Sequence, residues 1–221
     1  VLFRSQPLTT LERIHQAARQ EFLSKGFQRA SLRKIVQSVG MTTGAFYGYY
    51  RSKADLFAAL VGPAYDYILG RFLQAQQAFA ALPPQRQVDQ LSQVSGRCME
   101  DILHYAYDHL EACQLLLCCA EGTRYADLVD EMVAVEIQAT HNYQDVLGSL
   151  GMPSPRIDPQ LEHILVTGMF RAFFRTGDPR HAAAGSGTVS PRDAGLLHRR
   201  VDENDGADIM PHLFPAIVSF S

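Results

Sequence analysis

The chain has 221 residues, 47% hydrophobic and 19% charged, an ordinary globular balance that excludes wholesale disorder and suits one or two helical domains. Its net charge of −3 conceals an asymmetry: residues 1–60 carry nine basic against three acidic side chains, including all three lysines, while the remainder is acidic. A basic head on an acidic body points to a polyanionic partner for the head alone.

Helical periodicity runs through nearly everything before residue 176, and no stretch alternates like a strand. Thr9 or Thr10 caps a helix to Lys25 with Leu11, Ile14, Ala18, Phe22 and Leu23 on one face, and Gly26 ends it. Ser31 caps a short helix whose Leu32, Ile35, Val36 and Val39 point inward, and Gly40 stops it. A second short helix runs from Thr42 or Thr43 to about Tyr49, and Ser52 caps the next. A kink or break is expected between Leu60 and Pro63, because proline costs about 3 kcal/mol in a helix interior. Pro83-Pro84 forces a turn, and further helices are expected near 86–107, 108–121, 124–150 and 159–175, the last capped by Asp158.

The segment Ser31–Leu56 reads SLRKIVQSVGMTTGAFYGYYRSKADL, two short helices with a glycine at the bend. That is the pattern of a helix-turn-helix, whose second helix enters the major groove of DNA. Gly40 allows the tight turn, and Thr42 and Thr43 bring hydroxyls to the exposed start of the second helix. Gly44 and Ala45 are small enough for close approach, Phe46 and Tyr50 anchor the helix inward, and Tyr47 faces out. Ser52 and Lys53 form a helix-start anion site.

Residues 9–60 closely resemble the DNA-binding head of the TetR family of bacterial transcriptional regulators, with matching caps, spacing, aromatic residues and Ser-Lys helix start. The resemblance implies an all-α fold, with a three-helix head at 1–52 and a helical ligand-binding and dimerisation body at 53–175, from which the atypical tail at 176–221 departs. It implies Thr42, Thr43, Gly44, Ala45 and Tyr47 on double-stranded DNA, with Ser31 and Lys53 on phosphates; Gly48 stands where many members carry histidine. In the body it implies a pocket for a small-molecule effector. Met99, Leu103, Tyr107, Cys113, Leu117, Tyr125, Met132, His141 and Phe170 are the candidate liners, each with an alternative reading as ordinary core. Leu161, Ile164, Leu165, Met169 and Phe173 are the candidate homodimer contacts.

No catalytic constellation is visible: the chain has no Gly-rich phosphate loop, no GxSxG and no HExxH, so it does not read as an enzyme. The four cysteines lack CxxC spacing and read as reduced buried thiols, and neither His104 with His109 nor His141 with His163 has the partners of a metal site. No cofactor is expected. No apolar run approaches the roughly 18–20 residues of a bilayer span, and the amino end lacks the pattern of a secretion signal, so a cytoplasmic chain with no membrane partner is expected.

After Phe174 glycine, proline, arginine and alanine dominate and helical periodicity fades, so the tail is expected to be irregular. Codons for Gly195–Asp205 can be chosen so that a one-base shift yields an amphipathic helix with a tryptophan, which reads the tail as an out-of-frame version of a dimer helix. The expected function is a ligand-responsive repressor acting as a homodimer on a near-palindromic operator. The alternative is a small-molecule-binding helical module whose DNA function is lost with that dimer helix.

Overall fold

The computed structural model describes residues 7–152 and 154–176. The expectations for the tail therefore fall, from residue 177 onward, outside the described residues. The fold is all-α: eight helices, and no strand among the described residues. They are α1 (Thr10–Arg29), α2 (Leu32–Ser38), α3 (Thr43–Phe46), α4 (Lys53–Ala80), α5 (Pro84–Asp108), α6 (Leu110–Cys119), α7 (Leu128–Ser149) and α8 (Pro159–Thr176). They pack as two compact units. One runs to Asp66 and adds His109–Asp127; the other comprises Tyr67–Asp108 and the chain from Leu128.

In the first unit, Thr9 closes a reciprocal capping box with Glu12, whose carboxylate accepts from the Thr9 backbone N–H at 2.7 Å. Gly26, at φ 71°, interrupts the helical geometry of α1, as the only residue type that takes this conformation at no steric cost. Ile14, Ala18 and Phe22 form the buried stripe of α1, while Leu11 and Leu23, expected on the same face, remain exposed. Phe22 meets Phe57 of α4 edge-on at 4.9 Å, and α6 packs against α1. Residues 109–127, which the sequence places in the body, thus belong to the same compact unit as the head.

Of the kink or break expected between Leu60 and Pro63, the break does not occur, and α4 continues through Pro63. Proline removes one backbone N–H, but Leu60, Val61 and Ala64 around it are buried, and their packing outweighs one lost helical bond. Continuity has a second consequence: by length and composition α4 is a helix that could cross a membrane, contrary to the expectation of no such run, although 44% of its apolar window is buried inside the fold.

In the second unit the core gathers Ile68, Phe72 and Phe79 of α4, Cys98 and Ile102 of α5, Met132 and Tyr143 of α7, and Phe170 of α8. Pro84 opens α5 at the position where a missing N–H costs nothing, and the buried Gln87 donates to the Leu82 carbonyl at 2.9 Å, closing the α4–α5 turn. Asp158 caps α8 as expected, its Oδ1 accepting from Gln160 N and Leu161 N at 3.0 and 3.1 Å. Between α7 and α8, His141 bonds the buried Glu162 at 2.9 Å. Cys98, Cys113 and Cys119 are buried, but Cys118 is exposed: its neighbour Cys119 turns inward, and adjacent residues on a helix cannot share a face.

Candidate nucleic-acid interface

The interface is built from the caps outward. Ser31 caps α2, its Oγ accepting from Lys34 N at 3.4 Å. The Ser31 backbone N–H in turn donates at 3.0 Å to Glu21, which also takes the Lys25 ammonium at 2.7 Å. The Lys25 hydrogen bond, then the Ser31 one, hold the Glu21 carboxyl below its ordinary range. At the far end, Gly40 takes φ 70° and the chain reverses, with Met41 N donating to the Val36 carbonyl at 3.2 Å. Arg13 reaches from α1 to the Val39 carbonyl at 2.6 Å, fixing where the turn sits.

Thr42 caps α3, accepting from Ala45 N at 3.1 Å. The α3 helix is shorter than expected: regular helix ends at Phe46, and residues 47–49 continue as turns. Phe46 is fully buried, and Tyr50 is tied inward by a hydrogen bond between its hydroxyl and His15 Nε2. Burial, with the nearby Arg19, lowers the His15 pKa, so the bond is made by a neutral ring. What remains outside is Thr42, Thr43, Gly44, Ala45 and Tyr47, the last 55% exposed, joined by Tyr49. The chain has no acidic side chain between Ala30 and Ala54, and Arg29, Arg33, Lys34 and Arg51, in or next to that stretch, are exposed. Those four cations were counted in the charge of the head but not singled out; their exposure, unlike their charge, is not written in the local sequence.

Lys53 differs from expectation. Its ammonium donates to the carbonyls of Phe27, Gln28 and Ala30 at 2.7, 3.2 and 3.1 Å and stands 4.5 Å above the Phe27 ring. An ammonium has three N–H donors, and all three are taken by the chain leaving α1. Lys53 therefore ties α4 to α1, and the α4 start is capped separately by Ser52, which accepts from Asp55 N at 3.0 Å.

The nine candidate pocket liners divide between the two units. Cys113, Leu117 and Tyr125 belong to the first unit, where Tyr125 packs on Tyr65 and Phe57. Met99, Leu103, Tyr107, Met132, His141 and Phe170 belong to the second, where Tyr107 is exposed, His141 holds Glu162, and Phe170 meets Phe72 edge-on at 5.5 Å. A cavity does exist between α4, α5 and α7, with an open groove beside it, but none of the nine lines either. The one ionisable acid in its wall is Glu136, a residue that sequence periodicity alone places on a helix without indicating burial. Among the described residues no group of three His, Cys, Asp or Glu side chains is placed to hold a metal ion.

Of the candidate dimer contacts, Leu161, Ile164 and Leu165 are exposed on α8, Ile164 at 65%. Met169 is half-buried, and Phe173, 4% exposed, belongs to the inward face, because it follows Phe170 by three residues and Val166 by seven.

The family model for bacterial regulatory proteins of the tetR family matches residues 14–60. Over 58 residues the chain is 36% identical to an uncharacterised HTH-type transcriptional regulator, YdgC, of Bacillus subtilis (strain 168), covering 26% of this chain and 30% of the relative. Over 61 residues it is 34% identical to the HTH-type transcriptional repressor BepR of Brucella suis biovar 1 (strain 1330), covering 28% and 29%. The match thus spans about three tenths of the length of these curated relatives. A solved TetR-like transcriptional regulator from Rhodococcus sp. RHA1 aligns over 98% of this chain and 100% of its own at 17% identity, with a TM-score of 0.49, too loose a likeness to bear on the site. Residues 14–60 of the chain thus match the amino-terminal domain shared by the tetR family of bacterial regulatory proteins.

Proposed function

We propose that the chain is a cytoplasmic, sequence-specific DNA-binding regulator, a ligand-responsive repressor that acts as a homodimer on a near-palindromic operator. The observation that carries this reading is the acid-free stretch Ala30–Ala54, which exposes Thr42, Thr43, Gly44, Ala45 and Tyr47 and, in or next to the same stretch, four cations. Cations neutralise phosphates and make affinity steeply salt-dependent, while small residues and hydroxyls at the helix start let α3 approach base edges. Ser31 contributes at the α2 start through the exposed Lys34 and Arg33 that follow it.

The exposed apolar residues Leu161, Ile164 and Leu165 recur on one face of α8, and Gly168 and Ala172 extend that face with small side chains. Such a stripe supports pairing with a second copy across a two-fold axis, which would set two α3 helices about 34–36 Å apart on successive major grooves. A ligand acts only by binding better to a dimer whose head spacing no longer fits the operator.

Selection from a random duplex library tests the reading. The expected product is an inverted repeat with half-site centres about 10–10.5 bp apart, or a multiple of that. Recovery of no enriched sequence, with affinity indifferent to salt, would overturn it.

A further inference from the structure

The cavity in the second unit is small, about 40 Å³, room for a few waters, yet it holds an ionisable acid in an otherwise uncharged wall. Glu136 of α7 is 4% exposed, and Gln76 of α4 donates to its Oε2 at 2.7 Å. Burying a carboxyl costs free energy that glutamine or leucine at the same position would avoid, so its presence calls for a partner. Gln76, Phe79, Ala139 and Tyr143 line both this cavity and the adjoining open groove of about 480 Å³. Together the two have the size and mixed polarity of a small-molecule site. Among the described residues neither wall carries a lysine, arginine or histidine, so an anionic ligand would meet no positive charge from them there.

We propose that this site binds an amphiphilic primary amine, its ammonium paired with Glu136 in the cavity and its apolar body lying in the groove. The Phe79 and Tyr143 rings, edge-on with centroids 5.5 Å apart, stand in both walls and offer aromatic faces to a passing cation. The Gln76 side chain, already on the carboxyl, has an amide oxygen that accepts from an ammonium N–H. This assignment rests on the ligand-responsive part of the function proposed above and names the chemistry of its effector.

Burial raises the Glu136 carboxyl to about 8, the Gln76 hydrogen bond offsetting this only in part. Binding an ammonium therefore releases a proton from Glu136 below that pH. The titratable groups facing it are Cys98 of α5, raised to about 11 by burial, and Tyr143 of α7, also raised, so both stay protonated across neutral pH. The Arg71–Asp101 ion pair joining α4 to α5 lies beyond Cys98.

Calorimetric titration of the full chain with octylamine, octanoate and octanol at two pH values tests the assignment. Octylamine should bind, and more tightly at pH 8 than at pH 6, by a factor approaching about tenfold per unit. Octanoate should not bind, and octanol should bind more weakly than the amine. Glu136→Gln should weaken octylamine at least about tenfold and remove its pH dependence, with helix content unchanged by circular dichroism. Glu136→Asp should retain the pH dependence. Octanoate binding as tightly as octylamine, octylamine indifferent to Glu136→Gln, or no octylamine binding at all would overturn the proposal. DNA release, followed separately by fluorescence anisotropy, keeps the two readings apart. Amine binding without DNA release preserves the ligand assignment and refutes the ligand-responsive regulator. DNA binding by a chain with no affinity for the amine refutes the assignment alone.

Discussion

An ammonium at a helix start can hold a phosphate or another part of the chain, and at Lys53 the distances to three backbone carbonyls decide for the chain. Hydrogen bonds to a charged donor contribute about 1.5–3 kcal/mol, so Lys53→Ala should lower the unfolding free energy by about that much. The salt dependence of DNA binding should hardly change; a slope that falls by about one while stability is intact would return the ammonium to the phosphate backbone. Tyr47, exposed and free to turn its hydroxyl outward, is the opposite case. Tyr47→Phe should leave stability unchanged and weaken DNA binding by about 0.5–1.5 kcal/mol, read as a shift in the binding midpoint. At Glu136, burial holds the native carboxyl protonated to about pH 8, whereas the unfolded one titrates near its ordinary value of 4.5. Between those values the folded state binds more protons, so the residue's contribution to stability falls as pH rises, by up to about 1.4 kcal/mol per unit. Denaturant unfolding should therefore show Glu136→Gln gaining on the parent from pH 5 to pH 8, and a difference independent of pH would contradict the burial. Caps were legible beforehand because they are local: Thr9, Ser31, Thr42, Ser52 and Asp158 each bond within three residues. Lys53 was not, since its partners lie 23 to 26 residues away.

Elements follow the same division between local and distant causes. The starts of α1, α2, α3 and α8 and the turn at Gly40 were readable, as each needs only a cap or a positive φ nearby. At Pro63 a kink or a break was readable but not which of them, because the continuity of α4 depends on packing around Leu60, Val61 and Ala64 that no single-helix rule contains. Nor could periodicity show that α6 packs on α1, or that the nine pocket candidates divide between two units. An apolar residue facing a cavity and one facing a closed core share the same spacing along a helix. On α8 the pattern did separate two faces once burial was known: Phe170 and Phe173 inward, Ile164 outward. Ile164→Asp should consequently keep the fold and its melting temperature while shifting a dimer to monomers in size-exclusion chromatography coupled to light scattering. Loss of folded structure would mean that Ile164 is buried within its own chain. An unchanged dimer would place the subunit contact elsewhere.

For the whole molecule, the charge asymmetry read from composition has a local counterpart: cations and no carboxylate in the stretch of sequence that holds α3, and, among the described residues, a buried acid and no basic side chain in the cavity wall. Polyanion binding by the head is favoured by its surplus of six positive charges, and the acidic remainder discourages DNA from binding elsewhere. In the proposed regulator a single head would hold one half-site, and the two heads of a dimer would gain the effective concentration that makes an operator-sized site bind tightly. The proposed regulator is thus a dimer that grips DNA through the acid-free stretch. Sedimentation of the purified chain, alone and with labelled duplex from upstream of its own gene at two salt concentrations, tests this. The expected result is a dimer that carries the duplex with it and releases it steeply as salt rises. A monomer that leaves the DNA free at both concentrations would contradict it.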